Sequence, residues 1–155
     1  MSRIEQSCLA AATAALLVAG SAIGVTAVAE TDDEEVAQRV AEASAEEGEQ
    51  IVNTECIACH TFEEGQPHGV GPNLWDVVGR PIASLDDFDF TEALEEHGDE
   101  EWTYANLDAY IADPEGFAPG TNMAYPGIED VEERADVIAF LRSLSDDPED
   151  LPDGE

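Results

Sequence analysis

Apolar positions recur at helical spacing in a few short segments, separated by long polar or turn-rich stretches. The clearest stripe is Val131, Ala135, Ile138 and Leu141, widened by Val137, Phe140 and Leu144. That periodicity predicts a helix, opened by a box-like pair in which Asp130 takes the cap position and Glu133 follows three residues later. Tyr104 to Ala112 reads as a second helix, stopped by Pro114. Thr91 to Glu96 reads as a short third one with Thr91 as its N-cap, and Gly48, Ile51 and Val52 begin a fourth. No strand pattern competes and no internal repeat is visible, so the fold class expected is all-α.

Between these helices the chain is punctuated by turn residues. Gly65, Pro67, Gly69, Gly71 and Pro72 break up one stretch, and Gly116 to Gly127 forms another Gly/Pro-rich segment. The folded domain is expected over 48–145. Residues 30–47 are acidic and Ala-rich; Val36, Val40 and Ala43 lie at helical spacing, but the apolar face is thin, and the segment reads as a solvated acidic spacer. Residues 146–155 hold two prolines and six acids and read as a frayed acidic tail.

Residues 1–29 have the pattern of a signal peptide. Arg3 gives a short positive start, Cys8 to Ala29 carries no charge, and Ala27-Val28-Ala29 is a small-x-small cleavage pattern. The alternative is an uncleaved membrane anchor, since spanning a bilayer takes roughly 20 apolar residues. Richness in alanine weighs against insertion. Export to a periplasmic location is expected in the first case, and association with the membrane through the N-terminus, facing the periplasm, in the second.

Charge changes the picture further. Asp+Glu number 37 against Lys+Arg 5, a formal net charge of −32, with no lysine at all. Self-repulsion of this size opposes compaction, and concentrated salt would screen it, so a halophilic setting is expected. The acidity excludes nucleic-acid binding, for there is no basic patch to meet phosphates.

The chemistry sits in Cys56-Ile57-Ala58-Cys59-His60. C-x-x-C-H is the pattern of covalent c-type haem attachment. Thiols three residues apart share one face of a helical turn, so both reach one porphyrin edge, and the adjacent His60 can ligate the iron. A structural zinc site would need four ligands, yet Cys8 is the one other cysteine and His68 and His97 are scattered. A thioredoxin-like pair would need a βαβ context that is missing. A second axial ligand is then sought. Of the two methionines, Met1 belongs to the leader, which leaves Met123 in the loop Pro119-Gly120-Thr121-Asn122-Met123; a His/Met pair raises the potential of a haem. His68 and His97 are the alternatives, with His68 expected to bond backbone in its own loop.

Several motifs in order carry a resemblance: Gly48, Cys56-x-x-Cys59-His60, Gly71-Pro72-Asn73-Leu74, Gly79-Arg80, Trp102-Thr103, Tyr110, Pro114, Pro119-Gly120-Thr121-x-Met123 and Arg134-Ala135-Asp136. Together they resemble class I cytochrome c of the mitochondrial and alphaproteobacterial c2-like kind, over nearly all of 48–145. The resemblance implies a small helical domain wrapped around one covalently bound haem c, attached through Cys56 and Cys59. It implies that the Pro72 carbonyl holds the His60 ring and that Trp102 directs its indole N–H to a propionate. Arg80 would offset the buried propionate, Tyr110 would stand near the Met123 sulfur, and Thr121 would cap the inner propionate region. Gly48 would let the first helix cross the last closely, against Val137 and Phe140. The sequence departs from the family at Val52, Phe90, Leu94 and Asp76, the last a position that is usually glycine. The lysines that commonly ring the haem edge are absent.

The function implied is a one-electron carrier, not an enzyme, expected as a monomer. Its redox partner proteins would be a quinol-oxidising bc-type complex and a terminal oxidase, reaction centre or reductase. The rival readings are a haem peroxidase or gas-binding sensor, which would need an open iron position, and a membrane-anchored cytochrome subunit of a respiratory complex.

Overall fold

The structure, a computed structural model, describes residues 33–152. The leader expected over 1–29 lies outside the described residues. Six helices follow in order: α1 (Asp33–Glu42), α2 (Ala45–Glu55), α3 (Glu92–Glu95), α4 (Tyr104–Ala112), α5 (Pro114–Phe117) and α6 (Val131–Ser143). The one β-type pairing among the described residues is an isolated bridge, Pro81 with Glu101.

The frame is the crossing of α2 with α6, the most extensive helix pair. Ser44 caps α2 by accepting from the Glu47 amide, and its own amide donates to Asp136 Oδ1 at 2.7 Å, which ties the start of α2 to α6. A side chain at Gly48 would overlap the Asp136 carbonyl and the Val137 amide. The glycine is what lets the two backbones touch, and the contact falls on Asp136 and Val137, one turn short of Phe140. Val52 and Val137 are buried. Asp130 caps α6 as expected, accepting from the amides of Glu132 and Glu133. The inner face of α6 is Ala135, Val137, Ile138 and Leu141, whereas Val131, at the exposed first turn, is 43% exposed.

Two terminal segments differ from expectation. Residues 33–42 are no solvated spacer: α1 buries Val36, Ala37 and Val40 in the core and packs on α4 and α6. Burying one valine side chain is worth roughly 1.5–3 kcal/mol, so a thin apolar face suffices once its neighbours are fixed. Asp33 Oδ1 adds a bond from the Ala105 amide at 2.8 Å. The tail is not frayed over its described part. Ser145 Oγ donates to Asp76 Oδ1 (2.6 Å), the Glu149 carbonyl accepts from Arg142 Nε (2.7 Å) and Tyr104 Oη (3.1 Å), and Leu151 packs on the core. The bonds from Arg142 and Tyr104 go to a backbone carbonyl, so the acidic composition did not reveal them.

Inside α4, α6 and α1 lies a buried ion pair that patterning did not anticipate. Arg134 meets Asp108 through two bonds, Nε to Oδ1 at 2.8 Å and Nη2 to Oδ2 at 3.1 Å. Its Nη1 donates to the carbonyls of Ile128 (2.9 Å) and Glu129 (3.0 Å), and Arg39 Nη1 lies 3.9 Å from Asp108 Oδ1.

From 61 to 91 the chain has neither helix nor strand. A stretch of this length inside a compact domain has to be held by other means. Asn73 is the centre of that scaffold: buried, it donates to Thr61 Oγ1 and the Glu63 carbonyl, and accepts from the Trp75 amide. Asp76 has φ 55°, in the left-handed region that favours glycine, which agrees with the glycine expected there from the resemblance.

Candidate functional site

The end of α2 delivers Cys56, and the turn after it delivers Cys59 and His60. Amides of Cys59 and His60 both donate to the Cys56 carbonyl at 3.0 Å, closing the turn. Cys56 and Cys59 form no disulfide. Burial pushes the Cys56 thiol up to about 11, with the charges of Glu55 and Cys59 adding to the effect.

His60 is set by the loop beyond it. Its Nδ1 lies 2.7 Å from the Pro72 carbonyl. A carbonyl can only accept, so Nδ1 carries the proton and Nε2 keeps a free lone pair. Burial lowers the pKa of the imidazole, against a smaller opposing effect of the Pro72 bond. Gly71 makes the geometry feasible: a side chain there would overlap the ring at Nδ1 and Nε2.

A partly open apolar cleft brings Cys56, His60 and Met123 together with Val52, Leu74 and Ile128. Its described lining exposes no polar surface. Cys56 and His60, four residues apart, thus meet the distant Met123 at one greasy opening. His68 and His97 do not line it. His68 accepts from the Asn73 amide through Nδ1 (2.9 Å) and meets Asp87 through Nε2 (3.0 Å), while His97 meets Glu100 and stacks on Phe117.

The remaining expected residues lie outside this lining but form a connected wall. The Trp102 amide donates to the Arg80 carbonyl at 2.9 Å. The Trp102 ring packs on Tyr110 (5.1 Å) and Phe117 (5.9 Å). Tyr110 Oη and Thr121 Oγ1 share a bond of 2.8 Å, and Thr121 Oγ1 also accepts from the Met123 amide at 3.3 Å. Tyr110 thus reaches the Met123 loop through Thr121, and the Thr121 hydroxyl, expected to cap a propionate, already has two protein partners. Burial raises the pKa of Tyr110, with the Thr121 bond opposing.

A family model described as cytochrome c matches residues 45–145. The chain belongs to the cytochrome c family. Over 98 residues it is 50% identical to a cytochrome c homolog of Bradyrhizobium diazoefficiens, covering 63% of this chain and 53% of that protein. It is 39% identical over 105 residues to a cytochrome c homolog of Rickettsia bellii, covering 68% of this chain and 60% of the other. A cytochrome c of the plant Stellaria longipes is 37% identical over 101 residues, 65% of this chain and 93% of its own. The matched segment thus spans little more than half of the bacterial relatives. Helix α1 precedes the residues that the cytochrome c family model matches.

Members of this family carry haem c attached through the two cysteines, and the residues present fit that group. Arg80 is a largely buried cation whose hydrogen bonds go to the carbonyls of Trp75 (3.0 Å) and Asn73 (3.4 Å) and to no carboxylate. Burial lowers its pKa, against the nearby Asp76 charge. A buried guanidinium of this kind calls for an anion, and a propionate supplies one. Thr91, expected as a helix cap, makes no cap bond; its hydroxyl is buried without a partner among the described residues. A buried orphan donor points the same way. Thr91 does stand at the N-cap of α3, its carbonyl accepting from the amides of Leu94 and Glu95. Tyr125, which also lines the cleft, and Glu55 were passed over.

Proposed function

We propose that this protein is a one-electron carrier whose haem iron is held between His60 and Met123. The observation that carries the reading is the cleft itself, which places a neutral imidazole with its Nε2 free, a thioether and a haem-attachment thiol around one apolar space. The haem supplies an iron that exchanges one electron without bond making in the substrate. The chain does the rest. Cys56 and Cys59 hold the macrocycle. The Pro72 carbonyl fixes the His60 tautomer and raises its donor strength. The Tyr110–Thr121 bond steadies the Met123 loop. Arg80, with the unpartnered Thr91 hydroxyl and the Trp102 indole, receives the propionates. Val52, Leu74 and Ile128 keep water out, so that charge change at the iron meets a low-dielectric, preorganised wall.

A sulfur ligand fills the position that a peroxidase or gas sensor needs open, which supports a carrier over an enzyme. The leader supports export and work in the periplasm, either free or tethered. The donor is then a quinol-oxidising bc-type complex and the acceptor an oxidase, reaction centre or reductase. The surface supports partners with basic docking faces. There is no lysine, and the four described arginines are turned into the fold, on Asp108, on Trp75 and Asn73 carbonyls, and on the Glu149 carbonyl.

Replacing Met123 tests the ligation. Ferric wild type is expected to show the weak long-wavelength band of Met–iron bonding. Met123→Ala should lose it, turn high-spin and drop in reduction potential. A variant with the spectrum and potential of the wild type would refute the assignment.

A further inference from the structure

The loop that carries Met123 runs between α5 and α6 and is hung from α4 at both ends. At the near end the Thr121 amide donates to the Ala118 carbonyl (2.9 Å) and Thr121 Oγ1 meets Tyr110 (2.8 Å). At the far end the Ile128 amide donates to the Ile111 carbonyl (3.0 Å), and Gly127, at φ 89°, packs where any side chain would overlap the Ala112 carbonyl. Between these points, residues 122–126 make local backbone bonds and one hydrogen bond to another part of the described fold: Tyr125 Oη donates to Glu55 Oε2.

That bond joins the middle of the Met123 loop to the end of α2. Glu55 is the last residue of α2, directly before the attachment residue Cys56. Tyr125 lines the same opening as Cys56 and Met123. A carboxylate in the last turn of a helix faces the negative end of the helix dipole, where it weakens the helix slightly. Glu55 is therefore not placed for the benefit of α2. Its gain is the phenol, since a hydrogen bond to a charged acceptor is stronger than a neutral one.

We propose that the Tyr125–Glu55 bond is a clamp that holds the Met123 loop closed against the end of α2, making Tyr125 a positioning residue for the sulfur ligand. The role rests on the His60/Met123 ligation proposed above. Thr121 and Ile128 fix where the loop begins and ends. The clamp fixes how far its middle stands from α2, and hence how readily the sulfur swings away from the iron.

The test uses the ferric holoprotein and imidazole as a competing ligand. Loss of the Met–iron band after mixing reports how fast the loop opens. Tyr125→Phe keeps the ring and removes the hydroxyl; Glu55→Ala removes the acceptor; Glu55→Gln keeps an acceptor and removes the charge. The first two should be displaced about tenfold faster, the scale of one charge-assisted hydrogen bond. Glu55→Gln should lie closer to wild type than Glu55→Ala. Hydrogen exchange at the amides of Met123 to Tyr125 should quicken in Tyr125→Phe. Wild-type displacement rates in both Tyr125→Phe and Glu55→Ala, with the band present, would overturn the clamp alone. A wild type without the band would overturn the ligation, and the clamp with it.

Discussion

Removing Asp108 should destabilise the protein far more than removing any acid on its surface. The side chains of Asp108 and Arg134 are each 8% exposed, and two bonds join them. Asp108→Ala leaves the guanidinium buried without its counter-charge. Breaking a buried pair in this way costs roughly 3–5 kcal/mol. Two features favour the lower end: Arg134 keeps its bonds to the Ile128 and Glu129 carbonyls, and losing one acid slightly relieves the repulsion of a chain at −32. A cost of about 3 kcal/mol corresponds to a fall in Tm of about 12 °C for a fold of this size. The assay is thermal unfolding of the holoprotein followed by far-UV circular dichroism. Glu49→Ala, at an exposed position on α2, is the control and should change stability by less than about 0.5 kcal/mol. The double replacement Asp108→Leu with Arg134→Leu should recover part of the loss, because no unpaired charge remains. If Asp108→Ala costs no more than the control, the pair behaves as a surface ion pair and the reasoning fails.

Salt and alkali should act in opposite directions. Raising salt from about 0.1 M to the multimolar range should raise Tm, because screening shortens from about 10 Å to 3 Å or less; equal stability at both would count against a halophilic setting. The same titration should slow electron exchange with a basic-faced partner and speed it with an acidic-faced one, and the reverse order would remove the docking argument. All three tyrosines, Tyr104, Tyr110 and Tyr125, have raised pKa values, with burial the first cause in each. The unfolded chain therefore releases these protons first. Their contribution to stability is complete below about pH 10 and is lost as pH rises through the folded values. Urea unfolding at stepped pH checks it; a midpoint unchanged between pH 9 and 11 would contradict it.

The helices that carry their own apolar stripe were legible: α4 runs over the expected residues, and α6 begins at its expected cap. So was the motif at Cys56 to His60, from its spacing, while the pairing of His60 with Pro72 was implied by the family resemblance. What escaped depended on contacts between distant segments. Nothing local separates Val36 and Val40 in an acidic stretch from a solvated face until α4 and α6 are there to cover them. The Glu149 carbonyl has no sequence signature at all. Asp108 and Arg134 looked like two more charges in a charged chain, though each lies on the inner face of its helix. Thr91 was read correctly as the N-cap of α3, but its hydroxyl makes no cap bond and is buried without a partner among the described residues, which no sequence pattern shows.

The same contacts bear on why a chain so acidic keeps the fold at all. Its few cations serve the fold: Arg134 meets Asp108 in the interior, half-buried Arg80 bonds the Trp75 carbonyl, and half-buried Arg142 bonds the Glu149 carbonyl of the tail. A lysine on the surface would gain little in concentrated salt, where pairs at the surface are screened. A cation inside is screened much less. Interior and exterior are thus under different constraints. The interior holds an apolar cleft with Cys56, His60 and Met123 around it. The exterior answers to solvent, and there the chain carries its acids and no lysine.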